Sequence, residues 1–306
     1  MKMLKMWSAV LLSLMIFTAC NDDDEKINAD RPDYEGQGQA NIYITDAPVD
    51  DVNISTVVIS IAGVEANGPD GWKMIKEFEE PVKIDLLSYQ NGEAYLLTEE
   101  VIEAGVYTEV RLKLNIQEEI DGELQNPGCY IEFKDGSKKP LFVPSGGQSG
   151  YKAKGEFALP TDGVVAVTLD FDVRKAVVKT GSDKYILKPT IRLVANEEAG
   201  LIEGKFAEAD TYEKVIVYAY ANGEFKESEM DEPAEGEVRF SNAVSSSVVG
   251  EGGEFTLAFM NAGTYDLYLV YHDENGEFLN LIGSYEDVSV EAGAKVSLQL
   301  ELNLLN

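Results

Sequence analysis

Apolar side chains recur at every second position along this chain, and that period leaves little choice of fold. Val165, Val167, Leu169, Phe171 and Val173 alternate with Ala166, Thr168, Asp170 and Asp172. Val296, Leu298, Leu300, Leu302 and Leu304 alternate with Ser297, Gln299, Glu301 and Asn303. Successive side chains of a strand point to opposite faces, so such runs are strands with one packed and one wet face. Val106, Val110, Leu112 and Leu114 follow the same rule against Glu109, Arg111 and Lys113. Between the runs stand Asn67-Gly68, Asp70-Gly71, Asn91-Gly92, Asp121-Gly122, Asp135-Gly136, Asp162-Gly163, Asn222-Gly223 and Asn275-Gly276. These pairs accept positive φ in tight hairpins. No stretch carries a long helical period, and the chain is expected to be all-β, its antiparallel strands stacked as sandwiches.

At 306 residues the chain exceeds one ordinary domain of ~100–200 residues. The run Ile191 to Ala195 gives way to a polar link, Asn196-Glu197-Glu198-Ala199-Gly200. A β-sandwich over residues 37–197 and a smaller one over 200–306 follow, with a hinge between them because few contacts should cross so short a linker. Each carries an Ala-Gly-x-Tyr step before an alternating strand, Ala104-Gly105-Val106-Tyr107 and Ala262-Gly263-Thr264-Tyr265. A Tyr hydroxyl returning to backbone fixes corners in sandwiches, and both tyrosines are expected to be structural.

The N-terminus is of another kind. Lys2 and Lys5 precede an apolar run from Met6 to Phe17, too short for the ~20 residues of a spanning helix. Residues 1–19 are therefore an export signal. Its end, Phe17-Thr18-Ala19-Cys20, resembles the lipobox of bacterial lipoproteins, with Phe17 where leucine is usual. The resemblance implies that Cys20 is acylated and anchors the chain to the membrane. Asn21-Asp22-Asp23-Asp24-Glu25-Lys26 repels itself, so residues 20–36 are expected to form a solvated acidic tether. That block is also similar to the signal that sends some Gram-negative lipoproteins to the outer face of the outer membrane. An extracytoplasmic, surface-exposed outer-membrane lipoprotein is expected, with the periplasmic face as the alternative.

Several motifs of the first domain occur in a fixed order: Ile44-Thr45-Asp46-Ala47-Pro48-Val49-Asp50-Asp51, then Ile84-Asp85-Leu86-Leu87, then the Ala-Gly-x-Tyr step with Arg111-Leu112. Pro144-Ser145-Gly146-Gly147-Gln148-Ser149-Gly150-Tyr151-Lys152, Leu169-Asp170-Phe171-Asp172 and Leu187-Lys188-Pro189 complete the series. Together they resemble a family of domains of unknown function found in secreted bacterial lipoproteins. The second domain resembles, more loosely, prealbumin-like and carboxypeptidase-regulatory-like sandwiches. The resemblance implies two Ig-like or prealbumin-like domains and no particular activity.

Composition narrows the chemistry. The formal net charge is −30, and cleavage of the signal, which holds two lysines and no acid, makes it −32. Such a surface repels nucleic acid and anionic lipid, leaving glycans, proteins and divalent cations as ligand classes. His272 is the only histidine, so a triad or a His-ligated zinc site must use it, and its place before Asp273-Glu274-Asn275-Gly276 marks a strand end instead. Cys129 is the one thiol besides Cys20, excludes an internal disulfide once Cys20 is lipidated, and is expected to pack as a small apolar group. No catalytic residue and no cofactor are expected.

Three stretches carry residue types suited to binding. The Gly-rich stretch 144–150 lacks a Gly-Lys-Ser/Thr ending and leads to a strand, so it is a turn or a recognition loop rather than a phosphate cradle. Asp170 and Asp172, on the non-core face of one strand, and Asp46, Asp50 and Asp51 after another supply hard oxygens of the type calcium takes. The favoured expectation is that the former pair with basic neighbours such as Arg174 and Lys188 while Asp46 turns its own loop. Tyr218 and Tyr220 share a strand face with Tyr268 on a neighbour, a possible stacking platform for a sugar, although burial in a core is the better expectation. The reading as a whole is a non-catalytic, lipid-anchored binding or adhesion protein. The alternatives are a structural or assembly subunit of a surface complex and, third, a calcium-dependent module or a carboxylate-based hydrolase.

Overall fold

The computed structural model describes residues 34–47, 53–116, 119–120, 123–124, 128–144, 150–181 and 184–301. The signal, Cys20, most of the acidic tether, Asp50, Asp51 and residues 145–149 lie outside them. The chain is all-β. No helix among the described residues is longer than four residues, and the one α-helical turn is α1 (Val173–Ala176). No described helix is long and apolar enough to cross a membrane.

The first half holds β1 (Gln37–Ala47), β2 (Ile54–Gly68), β3 (Gly71–Asp85), β4 (Tyr95–Glu103), β5 (Gly105–Leu114), the two-residue strands β6 (Glu119–Ile120) and β7 (Glu123–Leu124), β8 (Tyr130–Phe133) and β9 (Lys138–Phe142). It continues through β10 (Tyr151–Leu159), β11 (Val164–Asp172), β12 (Val177–Lys179), β13 (Tyr185–Leu187) and β14 (Ile191–Ala195). Apart from the β6–β7 pair, these form one sheet in the order β12-β13-β9-β8-β2-β5-β10-β14-β11-β1-β4, with β3 paired to β2. Strand β2 is long enough to serve two leaves. Ile54–Val58 pairs with β8 and Ile61–Asn67 with β5, and the register shifts between Ile61 and Gly63. Strand β3 bends with it, for Ile61 faces Val82 while Gly63 faces Glu77.

Expected alternation and observed burial agree where a strand has one wet face. Tyr107, Val110, Leu112 and Leu114 of β5 point inward, joined by Phe157, Leu159 and Ile42 in one core. Val106 instead faces solvent, 38% exposed, because the register of β5 against β10 slips between Lys154 and Phe157 and shifts the inward set by one residue. The expectation of purely antiparallel sheets holds for the hairpins and fails for four pairs: β1 with β11, β10 with β14, β13 with β9, and β15 with β21 run parallel. Parallel neighbours need long crossovers, and such returns leave no mark on local alternation.

The second half comprises β15 (Ala199–Phe206), β16 (Lys214–Ala221), β17 (Ser245–Val248), β18 (Glu254–Asn261), β19 (Gly263–His272), β20 (Phe278–Val290) and β21 (Lys295–Leu300). Sheets β18-β15-β21 and β17-β16-β19-β20 enclose a core of Ile202, Phe206, Val217, Leu257, Leu267 and Leu269 with neighbours. Both expected tyrosine corners are present: Tyr107 Oη donates to the Glu103 carbonyl and Tyr265 Oη to the Asn261 carbonyl, each at 2.7 Å. Between β14 and β15 stands only the 3-10 turn Asn196–Glu198. The hinge expected there is corrected by side chains that bond across from one half to the other. Arg174, Lys175 and Lys188 of the first half donate to backbone carbonyls of the second. Ser247 Oγ donates to Asn91 Oδ1 at 3.1 Å.

Candidate functional site

Two of the ordered motifs of the first half, Leu169 to Asp172 and Leu187 to Pro189, lead to this junction. The Leu169-Asp170-Phe171-Asp172 run ends β11, and the Asp172 side chain caps α1 by accepting from the Lys175 amide at 3.2 Å. The cap turns Arg174 and Lys175 toward the second half. Arg174, 3% exposed, donates through Nη1 to the carbonyls of Arg239 at 2.7 Å and Phe240 at 3.1 Å. Its guanidinium lies 5.1 Å from the Tyr218 ring centroid, a cation–π contact. Lys175 Nζ lies 2.9 Å from the Asp172 carboxylate and donates to the Ala243 carbonyl at 2.6 Å. Lys188 Nζ reaches the Gly236 carbonyl at 2.9 Å.

The aspartates proposed as calcium ligands are engaged in this framework. Asp170 ion-pairs with Arg192 of β14, and Asp172 with Lys175 and, at 3.6 Å, Arg174. Ion pairing was the favoured expectation, but the partner of Asp170 is Arg192, and Lys188 serves the interface instead. Asp170 is 8% exposed rather than on a wet face, because residues of the second half, Ser245, Ser246 and Thr256, stand over that face around one small space. Asp46 reaches beyond its own loop: Oδ1 accepts from the Val173 amide at 3.0 Å and Oδ2 from Gln90 Nε2 at 3.3 Å. Among the described residues no three His, Cys, Asp or Glu side chains gather as a metal site.

Burial sets the electrostatics here. It raises the Asp46 carboxyl well above the ordinary carboxylate range, and nearby Asp170 and Asp172 add to the rise. Burial also works against charge on Asp172, but Arg174 and Lys175 outweigh it and hold that carboxyl below its ordinary value. Desolvation lowers Lys175 in spite of Asp172.

The aromatic platform is corrected. Tyr218 and Tyr220 are fully buried, and they form a second core with Ile216, Val270, Phe240 and Ala243. Strand β16 is therefore packed on both faces. Phe240 stacks on Tyr218 at 4.5 Å and Phe225 on Tyr268 at 4.0 Å between ring centroids. The chain after β16, which holds both phenylalanines, covers the rings that a sugar would need. His272 is buried, its Nδ1 3.0 Å from the Gly276 carbonyl in its own hairpin. Burial pushes the Cys129 thiol up to about 11, which keeps it protonated and inert. Of the glycine-rich stretch, only Pro144, exposed, and Gly150 are described.

Residues 37–189, half of the chain, match the family described as Domain of unknown function (DUF4382). The chain belongs to this family. The match agrees with the class of family expected for the first half. No curated protein matches the chain. Among solved structures, the TIE protein of Bacillus anthracis is 11% identical, with 87% of this chain and 34% of that one covered and a TM-score of 0.21. The major pilin subunit BcpA of Bacillus cereus is 10% identical over 88% of this chain and 71% of its own, TM-score 0.22. The fimbrial anchor protein Mfa2 of Porphyromonas gingivalis is 12% identical over 86% and 90%, TM-score 0.20. This chain thus spans about a third of the B. anthracis protein.

Sequence reasoning missed Arg192 and Lys175 as the partners that neutralise the buried aspartates. The alternation of β11 could name its two faces, but only the placement of the second half against the Asp170 face shows that both are packed.

Proposed function

We propose that this member of the family is a lipid-anchored, non-catalytic protein that presents a rigid β body outside the cytoplasm for binding to a protein or glycan partner. One observation carries the reading. The side chains with chemical potential, Asp46, Asp170, Asp172, His272 and Cys129, are buried or bonded within the body and join its parts together. What such a chain offers to solvent is surface and loops, with the 144–150 stretch as the proposed recognition loop and Cys20 as the proposed anchor. Pairing of Asp170 with Arg192 and Asp172 with Lys175 favours structure over calcium binding at those residues.

The test uses intact cells. Antibody against the first half should label cells making the wild type, and labelled palmitate should enter the wild type but not Cys20→Ala. Shortening the 146–150 loop should weaken partner capture and leave the melting temperature unchanged. Label only after permeabilisation would move the protein to the periplasmic face and favour an assembly role. Equal palmitate in Cys20→Ala would remove the anchor.

A further inference from the structure

Followed strand by strand, the first-half sheet nearly closes on itself. The path β3-β2-β5-β10-β14-β11-β1-β4 is joined by backbone ladders at each step, and β3 and β4 then meet at its two ends. Among the described residues no ladder joins them: β3 pairs with β2 and β4 with β1. Side chains bridge the seam instead. Lys73 Nζ lies 2.7 Å from Glu103, and Lys76 Nζ lies 2.7 Å from Glu100. The two pairs set an antiparallel register across the gap. Both strands therefore keep one row of backbone N–H and C=O groups without a neighbouring strand.

A groove of about 570 Å³ follows this seam, bounded by Gly71, Lys73, Met74 and Ile75 of β3 on one side and Val101 and Glu103 of β4 on the other. Val101 is 62% exposed and Met74 41%, two of the most exposed large apolar residues among those described. Free strand edges lined with apolar groups are templates for a further strand, in which main-chain bonds give affinity and alternate side chains give specificity. The charge along the seam selects the occupant. Asp70, Glu77, Glu99, Glu100 and Glu103 stand against Lys73 and Lys76, so a second acidic copy of this chain is repelled and a basic strand attracted.

We propose that the β3–β4 seam is the docking site for an extended polypeptide strand in which basic and apolar residues alternate, and that the strand completes the ring by pairing with the free edges of β3 and β4. Strands in a ladder lie ~4.8 Å apart, so a third strand needs β3 and β4 to part to roughly twice that spacing. The seam is the one junction of the ring where parting breaks no backbone hydrogen bond. It breaks only the Lys73–Glu103 and Lys76–Glu100 pairs, which are solvent-exposed or half-exposed and add little to stability. The proposal rests on the reading of the chain as a binding protein. It fails separately from that reading, because its test needs neither anchoring nor cells.

The processed chain, residues 20–306, is titrated into a labelled nonapeptide of alternating lysine and valine at low salt. Two counterparts are run beside it, one with glutamate for lysine and one with alternate backbone amides N-methylated. Expected are saturable binding of the first peptide, binding weaker by about tenfold or more for each counterpart, and slowed amide exchange confined to residues 71–77 and 99–103. Joint Met74→Lys and Val101→Lys substitution, at exposed positions, should weaken binding by a similar factor without lowering the melting temperature, whereas Leu279→Lys in the second half should leave it unchanged. Equal binding of the N-methylated peptide, exchange protection elsewhere, or no binding would overturn the proposal. Concentration-dependent dimerisation that protects the same two segments would make a second copy the occupant and overturn it as well.

Discussion

Replacing Arg174 with methionine tests whether the two halves act as one body. The substitution keeps an unbranched stem that fills most of the site but removes the guanidinium that donates to the Arg239 and Phe240 carbonyls and its contact with the Tyr218 ring. Hydrogen bonds from a charged group contribute ~1.5–3 kcal/mol each, so two amount to ~3–6 kcal/mol. Methionine also avoids burying a guanidinium, which offsets part of that sum, and Asp172 keeps Lys175 as a partner. We therefore expect a loss of about 3 kcal/mol, which for a chain of this size lowers the melting temperature by roughly 5 °C. Arg174→Lys, which retains charge but not the planar fork, should fall between. The assay is urea and thermal unfolding followed by tyrosine fluorescence and circular dichroism. The wild type should unfold in one transition, and Arg174→Met should separate the halves into two. A shift below about 2 °C, with the single transition preserved, would refute the view that this side chain couples the halves.

Two further outcomes follow from the same structure. Tyr107→Phe and Tyr265→Phe each remove one hydroxyl-to-carbonyl bond and should each cost ~1 kcal/mol in denaturant unfolding, adding in the double variant because the two rings sit in separate cores. Non-additivity would place the corners in one cooperative network. Asp46 binds its proton more tightly folded than unfolded, so the native state is penalised while that carboxyl is ionised, and the penalty shrinks as pH falls below its raised folded value and is gone only below the ordinary carboxylate value. Asp46→Asn, which still accepts from the Val173 amide, should therefore melt higher than wild type at pH 7, and the difference should shrink as the pH is lowered toward 5. A lower melting temperature at pH 7, or a difference independent of pH, would show that the Asp46 charge is stabilising.

Period-two runs and positive-φ pairs sufficed to specify an all-β chain, because strand formation and tight turns depend on neighbours two to four residues apart. Gly71, Gly92, Gly136, Gly223 and Gly276 adopt the left-handed backbone that their Asn-Gly and Asp-Gly pairs announced. The Ala-Gly-x-Tyr steps specified both corners for the same reason, since each hydroxyl returns only four residues back. Partners across sequence distance were another matter. That β1 lies beside β11 in parallel, that β3 and β4 meet without a ladder, and that Asp170 faces Arg192 depend on where long connections return. A strand's alternation says that it has two faces, but only what packs against each one decides whether it is wet. Asp170 accordingly pairs with Arg192, and Tyr218 and Tyr220 pack in a core, the outcomes that sequence favoured over a ligand site without naming the partners.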